Sequence, residues 1–109
     1  KVVTDDNNFA LYFSRATIPY QRKDHDGKVD YYKHIGVYAF RRDFLLEYSK
    51  MNESRLEKIE SLEQLRVLEN GYKIKVVETV FDTVGVDTPE DLSYVKELIK
   101  SEDIDYRWE

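Results

Sequence analysis

The chain has 109 residues, enough for one domain or part of one and for a modest core. Hydrophobic residues make up 41% and charged residues 36%, a balance that excludes a disordered polymer. The net charge of −5 and the lack of a basic stripe interleaved with aromatics exclude a general nucleic-acid binder, and the absence of cysteine excludes disulfides, thiolate zinc sites and a cysteine nucleophile. No apolar run reaches the length of a bilayer helix and no signal peptide is visible, so no membrane partner and a cytoplasmic setting are expected.

The chain opens on Lys1-Val2-Val3-Thr4, which reads as a strand already under way, and we expect a piece of a longer protein. Ala10-Leu11-Tyr12-Phe13 is a short apolar run, expected as a buried strand. Pro19 forces an extended backbone at Ile18. Gln21 to Asp30 is a charged loop rich in turn residues. Tyr31 to Phe40 is expected as a strand. Period-two alternation then points Ile35, Val37 and Ala39 into a core, and His34, Gly36, Tyr38 and Phe40 the other way. An imidazole and a phenol would share one face, with a side-chain-free glycine between them, as the floor of a small polar site.

Arg41 to Lys50 is expected as a helix with Phe44, Leu45, Tyr48 and Met51 on one stripe. Asn52 or Ser54 would cap the next helix. From Leu56 to Leu68 apolar residues recur every three positions and form a broad arc, and Asn70-Gly71 stops that helix. Lys73 to Thr79 alternates Ile74 and Val76 with Lys73 and Lys75, a strand whose far end, at Val77, would be covered on both faces. Val84 to Asp87 reads as extended. Thr88-Pro89-Glu90-Asp91 then starts a helix to about Lys100: Thr88 caps, Pro89 takes the first helical position, and Asp91 completes a capping-box-like pair. That helix would bury Leu92, Val95, Leu98 and Ile99. In the tail, Tyr106 and Trp108 would pack back or meet another chain. Alternating strands and helices make the class α/β.

Several residues could carry chemistry. Asp87 lies at the end of an extended segment before a helix N-terminus, where α/β folds gather ligands. It either binds Mg²⁺, which takes hard oxygen ligands, or supports the helix start. Arg15 follows a strand end and is either a clamp for carboxylate or phosphate or a surface arginine. His34, next to Tyr38, could donate, accept or shuttle a proton, or be a hydrogen-bonded core histidine. Glu60, Glu63 and Gln64 share one helical face, which suits hydroxyl-rich ligands or is simply solvated. The four glycines, at 27, 36, 71 and 85, are too dispersed for a phosphate-cradling loop, and no H-E-x-x-H is present.

Four motifs occur in order: Ala10-Leu11-Tyr12-Phe13-Ser14-Arg15-Ala16-Thr17-Ile18-Pro19-Tyr20, Lys33-His34-Ile35-Gly36-Val37-Tyr38, Glu60-Ser61-Leu62-Glu63-Gln64-Leu65-Arg66 and Gly85-Val86-Asp87-Thr88-Pro89-Glu90-Asp91-Leu92. With them the chain, nearly all of it through Lys100, resembles the C-terminal half of the 3-deoxy-manno-octulosonate (Kdo) cytidylyltransferases, the CMP-Kdo synthetases. The resemblance implies a Rossmann-like nucleotide-diphospho-sugar transferase fold with a mixed sheet, of which residues 1–109 form the sugar-acid-binding and dimerisation half. It implies a Mg²⁺-dependent reaction in which the anomeric hydroxyl of Kdo attacks the α-phosphorus of CTP, giving CMP-Kdo and pyrophosphate for lipopolysaccharide synthesis. Asp87 would then be the catalytic metal ligand. Arg15 would hold the sugar acid, and His34, Tyr38, Glu63 and Gln64 would orient its hydroxyls and carboxylate. A homodimer is implied, with Tyr31, Tyr32 or Phe40 interfacial. The family's nucleotide-binding half, with its loop and a second metal-binding Asp, has no counterpart in this sequence, so the segment alone is expected to be inactive. Two alternatives stay open: a non-enzymatic α/β assembly module, and a cytidylyltransferase for another sugar acid such as a sialic acid.

Overall fold

The structure, a computed structural model, describes residues 1–23, 27–80 and 82–102. The expected roles of Tyr106 and Trp108, and the centre of the charged loop, lie outside the described residues. The chain divides into two units, Lys1–Glu78 and Thr79–Glu109.

The first unit is built on an antiparallel hairpin, β1 (Val2–Thr4) and β2 (Ala10–Phe13), in which Val2 faces Phe13 and Val3 faces Tyr12. Asp5 shapes the turn. Its Oδ1 accepts from the N–H groups of Asn7 and Phe9, both at 2.9 Å, while Asn8 takes the left-handed conformation at φ 63°. Short polar side chains suit that geometry because they bond their own backbone.

The expected strands at 31–40 and 73–79 do not form ladders. Each touches the hairpin through one bridge, Val2 with Tyr32 and Phe9 with Lys75. Around the second bridge, Ala10 N–H donates to Ile74 O at 2.9 Å and Val76 N–H to Asn8 O at 2.8 Å. Ile74 and Val76 pack on the core as the alternation requires. Val77, however, is 83% exposed, so its end of the segment is not covered on both faces. Val37, expected inside, is 81% exposed. A three-residue turn explains it: Val37 N–H donates to Ile35 O at 2.8 Å, which breaks the period of two.

Helix α1 (Arg42–Lys50) forms where expected, with Phe44 and Tyr48 half-buried and Leu45 exposed. The leucine-rich stretch is two short helices, α2 (Arg55–Glu60) and α3 (Gln64–Glu69), rather than one. A spacing of three falls short of a helical turn, so in one straight helix each step would rotate the stripe by about 60°. The break at Ser61, left-handed at φ 53°, resets the phase and lets Leu65 and Val67 enter the core. Ser54 is the cap, its N–H donating to Glu57 Oε2 at 2.9 Å. Glu69 of α3 reaches back to accept from Leu56 N–H at 3.1 Å, near the start of α2. Gly71 ends α3 at φ 82°, with Gly71 N–H to Leu68 O at 3.0 Å and Tyr72 N–H to Val67 O at 3.2 Å.

The core is small: Val2, Ala10, Phe13 and Leu65 pack together, Leu65 at 0% exposed, and Val67 is buried on the same helix. Helix α3 packs on β2 and closes it. In the second unit, α4 (Pro89–Glu102) starts on a full capping box. Asp91 N–H donates to Thr88 Oγ1 at 3.1 Å and Thr88 N–H to Asp91 Oδ2 at 3.0 Å. Val95, Leu98 and Ile99 are half-buried, whereas Leu92 is exposed. Sheet and helices together make an α/β architecture. Among the described residues no helix is long and apolar enough to cross a membrane.

Candidate functional site

Three of the expected side chains meet at the end of the hairpin. Gln64, the first residue of α3, is 8% exposed, and its Nε2 lies 3.4 Å from His34 Nδ1. The other ring nitrogen, Nε2, is hydrogen-bonded to the Tyr38 hydroxyl. Phe13 of β2 supports the imidazole edge-on, its ring centroid 4.9 Å away. A strand would have held residues 34 and 38 about 13 Å apart along the chain. The turn at Ile35–Val37 brings their rings to 5.6 Å. The pairing read from the sequence is therefore present, but a bend makes it. At Gly36 an added Cβ would meet nothing within 4 Å, so crowding does not demand a glycine there.

The hydrogen-bond order follows from the donor inventory. An amide nitrogen only donates, so His34 Nδ1 accepts. In the neutral ring the proton then sits on Nε2 and is given to the Tyr38 oxygen. The O–H of Tyr38 is then not used in that bond. Burial holds the imidazole below its ordinary pKa, so the neutral ring is favoured. The Tyr38 phenol is pushed up to about 12, first by burial and then by the Glu63 carboxylate, so it stays a donor. Glu63 is exposed at the N-cap of α3, next to Gln64. Gln64, His34 and Tyr38 thus form a neutral line, with a carboxylate beside it.

Arg15 has a second set of partners. Its Nε donates to Glu60 O at 2.7 Å and a terminal nitrogen to Ser61 O at 2.8 Å, capping α2. Arg15 as a whole is exposed. Glu60 holds the same corner from the other side. Its carboxylate accepts from Ser14 Oγ at 2.8 Å and Arg15 N–H at 3.0 Å, and these donors keep it below the usual carboxylate range. Ser14, with its hydroxyl aimed at Glu60, carries no sequence signal of that role. The Glu57–Arg66 pair was also missed. Arg66 donates to Glu57 at 2.8 and 2.5 Å, and Glu57 is 4% exposed. Its only trace in sequence is Ser54 three residues before Glu57, the capping-box spacing.

Asp87 belongs to the second unit and is exposed. Its N–H donates to Asp91 Oδ2 at 3.1 Å. Asp91 is thereby committed to the cap, which leaves the exposed carboxylates of Asp87 and Glu90 at this helix start. Among the described residues no group of three or more His, Asp or Glu is gathered for a metal. One hard carboxylate with no such cage fits Mg²⁺, which keeps waters and substrate phosphates among its ligands.

Residues 1–74 match the cytidylyltransferase family, and the chain belongs to that family. It is 60% identical over 104 residues to a protein of Fusobacterium nucleatum named 3-deoxy-manno-octulosonate cytidylyltransferase, covering 95% of this chain and 42% of that one. A protein of the same name from Solibacter usitatus is 54% identical over 101 residues, covering 93% and 40%. A solved structure of CMP:2-keto-3-deoxy-manno-octonic acid synthetase complexed with CTP superposes with a TM-score of 0.84 at 46% identity, over 93% of this chain and 41% of that one. The chain therefore spans about two fifths of the length of these relatives.

Proposed function

We propose that this chain is the sugar-acid-binding and dimerisation half of an enzyme that joins Kdo to CMP, using CTP and releasing pyrophosphate. The observation that carries the reading is the neutral Gln64–His34–Tyr38 line, in a chain so similar to proteins named for that sugar acid. A line of neutral donors and acceptors suits sugar hydroxyls, which both give and take hydrogen bonds. The Tyr38 O–H donates to a hydroxyl or carboxylate oxygen. Glu63 accepts from a further hydroxyl, and the outer edge of the Arg15 fork pairs with the sugar carboxylate. Together they turn the attacking hydroxyl toward the α-phosphorus, so their contribution is orientation. Asp87 would hold Mg²⁺. When bound, that ion lowers the pKa of the attacking hydroxyl and neutralises charge on phosphorus. Nucleotide contacts would come from the rest of such a protein. The product would feed lipopolysaccharide synthesis in the cytoplasm. Exposed Tyr31, Tyr32 and Phe40 support a homodimer, in which large apolar surface is covered by a second copy.

Pyrophosphate release from CTP and Kdo, measured on the full-length protein that carries this chain, tests the reading. The 109-residue segment alone should release none. Gln64→Ala should raise KM for Kdo about tenfold and leave that for CTP within about twofold. Asp87→Ala should abolish release, while the fold survives because the side chain is exposed. Activity that persists in Asp87→Ala would remove that residue from the mechanism. An unchanged KM for Kdo in Gln64→Ala would remove the polar line.

A further inference from the structure

Buried Glu57 and half-buried Arg66 are tightly paired, yet neither touches the polar line. Arg66 sits two positions after Gln64 on α3, a helix of 6 residues. So short a helix has no stability of its own, and its rotation is set by what its side chains grip. Arg66 grips two things. Its fork closes on Glu57 of α2 at 2.8 and 2.5 Å, and its Cζ lies 5.1 Å from the centre of the Tyr48 ring of α1. The Tyr48 ring is in turn 5.8 Å from Phe40, and Phe40 is 6.3 Å from Tyr38. Tyr38 is the far end of the line that begins at Gln64. The contacts therefore close a circuit that leaves α3 at Gln64 and returns to it at Arg66.

We propose that Arg66, clamped by Glu57, is a positioning residue that sets both ends of the Gln64–His34–Tyr38 line. At one end it fixes the roll of α3 and hence the direction of the Gln64 amide. At the other it anchors the tilted Tyr48–Phe40 pair against which the Tyr38 ring leans. This role rests on the sugar-acid reading only for its catalytic consequence; the geometric coupling stands by itself. A planar guanidinium is needed, because only it can bond a carboxylate through two N–H groups and lie over a ring at once. Lysine keeps the charge and can lie over a ring, as Lys73 and Lys75 do over Phe9, but it has no planar fork to hold the carboxylate at the same time.

The test is Arg66→Lys in the full-length protein, read in two ways. KM for the sugar acid should rise about tenfold, with KM for CTP within about twofold. Without any substrate, the ring ¹⁵N resonances of His34 should move, because Gln64 no longer meets Nδ1. Comparison with His34→Gln in the same protein assigns the His34 resonances. Tyr48→Leu, which keeps bulk but removes the ring, should shift the same resonances and serves if Arg66→Lys does not fold. Unmoved His34 resonances in a folded variant would overturn the proposal. Moved resonances with an unchanged KM for Kdo, in a protein where Gln64→Ala also leaves KM unchanged, would uphold the coupling and sink the sugar-acid reading instead.

Discussion

His34 shows how one residue gets its chemistry from its surroundings. Phe13 and Gln64 close around the ring, and burial lowers its pKa. The sign of the consequence is fixed by linkage. As pH falls, the unfolded chain takes up the imidazole proton first. The stabilisation is thus complete above the ordinary imidazole value of about 6.5 and is lost as pH falls through the lower native value. The denaturation midpoint should therefore drop on the acid side of neutrality. His34→Asn, which does not titrate there, should flatten that slope; a slope unchanged in the variant would assign it elsewhere. The depressed carboxylates of Glu57 and Glu60 act in a lower window, which opens at the ordinary carboxylate value and runs downward from it, so the two effects are distinguishable. Residue types alone revealed His34, Tyr38 and Gln64 as candidates. Ser14 and Arg66 were not revealed, and Glu57 only through its capping-box spacing from Ser54, because nothing in their spacing says which partner they meet across 46 or 9 positions.

Element boundaries were legible wherever a local hydrogen bond makes them. Thr88-Pro89-Glu90-Asp91 starts α4 and Gly71 stops α3, because caps are satisfied within a few residues. Gly71 has φ 82° and open space around an added Cβ. Gly71→Ala should therefore cost backbone strain alone, about 1–2 kcal/mol by chemical denaturation. A variant as stable as the parent would show that the turn relaxes to another conformation. The split between α2 and α3 was not read, since five apolar positions three apart look like one broad stripe until a core gives them a direction. The strand expected over 31–40 failed for a related reason. Alternation predicts a strand only when a neighbour supplies a ladder, and the hairpin offers that segment one bridge at Val2.

In the whole molecule, the first unit rests on very little buried apolar surface, centred on Leu65. Leu65 follows Gln64 directly, so the core and the polar line share one helix. Leu65→Ala should cost about 3 kcal/mol by the same measurement. It should also weaken sugar-acid binding in the folded fraction, because α3 loses its seat on β2. A loss of stability below about 1 kcal/mol would mean that the hairpin and helices are held by something other than this core. The second unit carries Asp87 on a helix start defined by its own cap, so its local form does not depend on Leu65.

The sequence by itself determined the α/β class, the caps, the first two strands and the list of polar residues, because each of these depends on near neighbours along the chain. It also carried the family resemblance, through four motifs in order. Only the tertiary structure decided that His34 and Tyr38 meet at a bend and that Arg15 caps a helix. It likewise closed Arg66 onto Glu57 and Tyr48. Those contacts join residues far apart in the chain, and their geometry is set by how short elements pack, which no local pattern encodes.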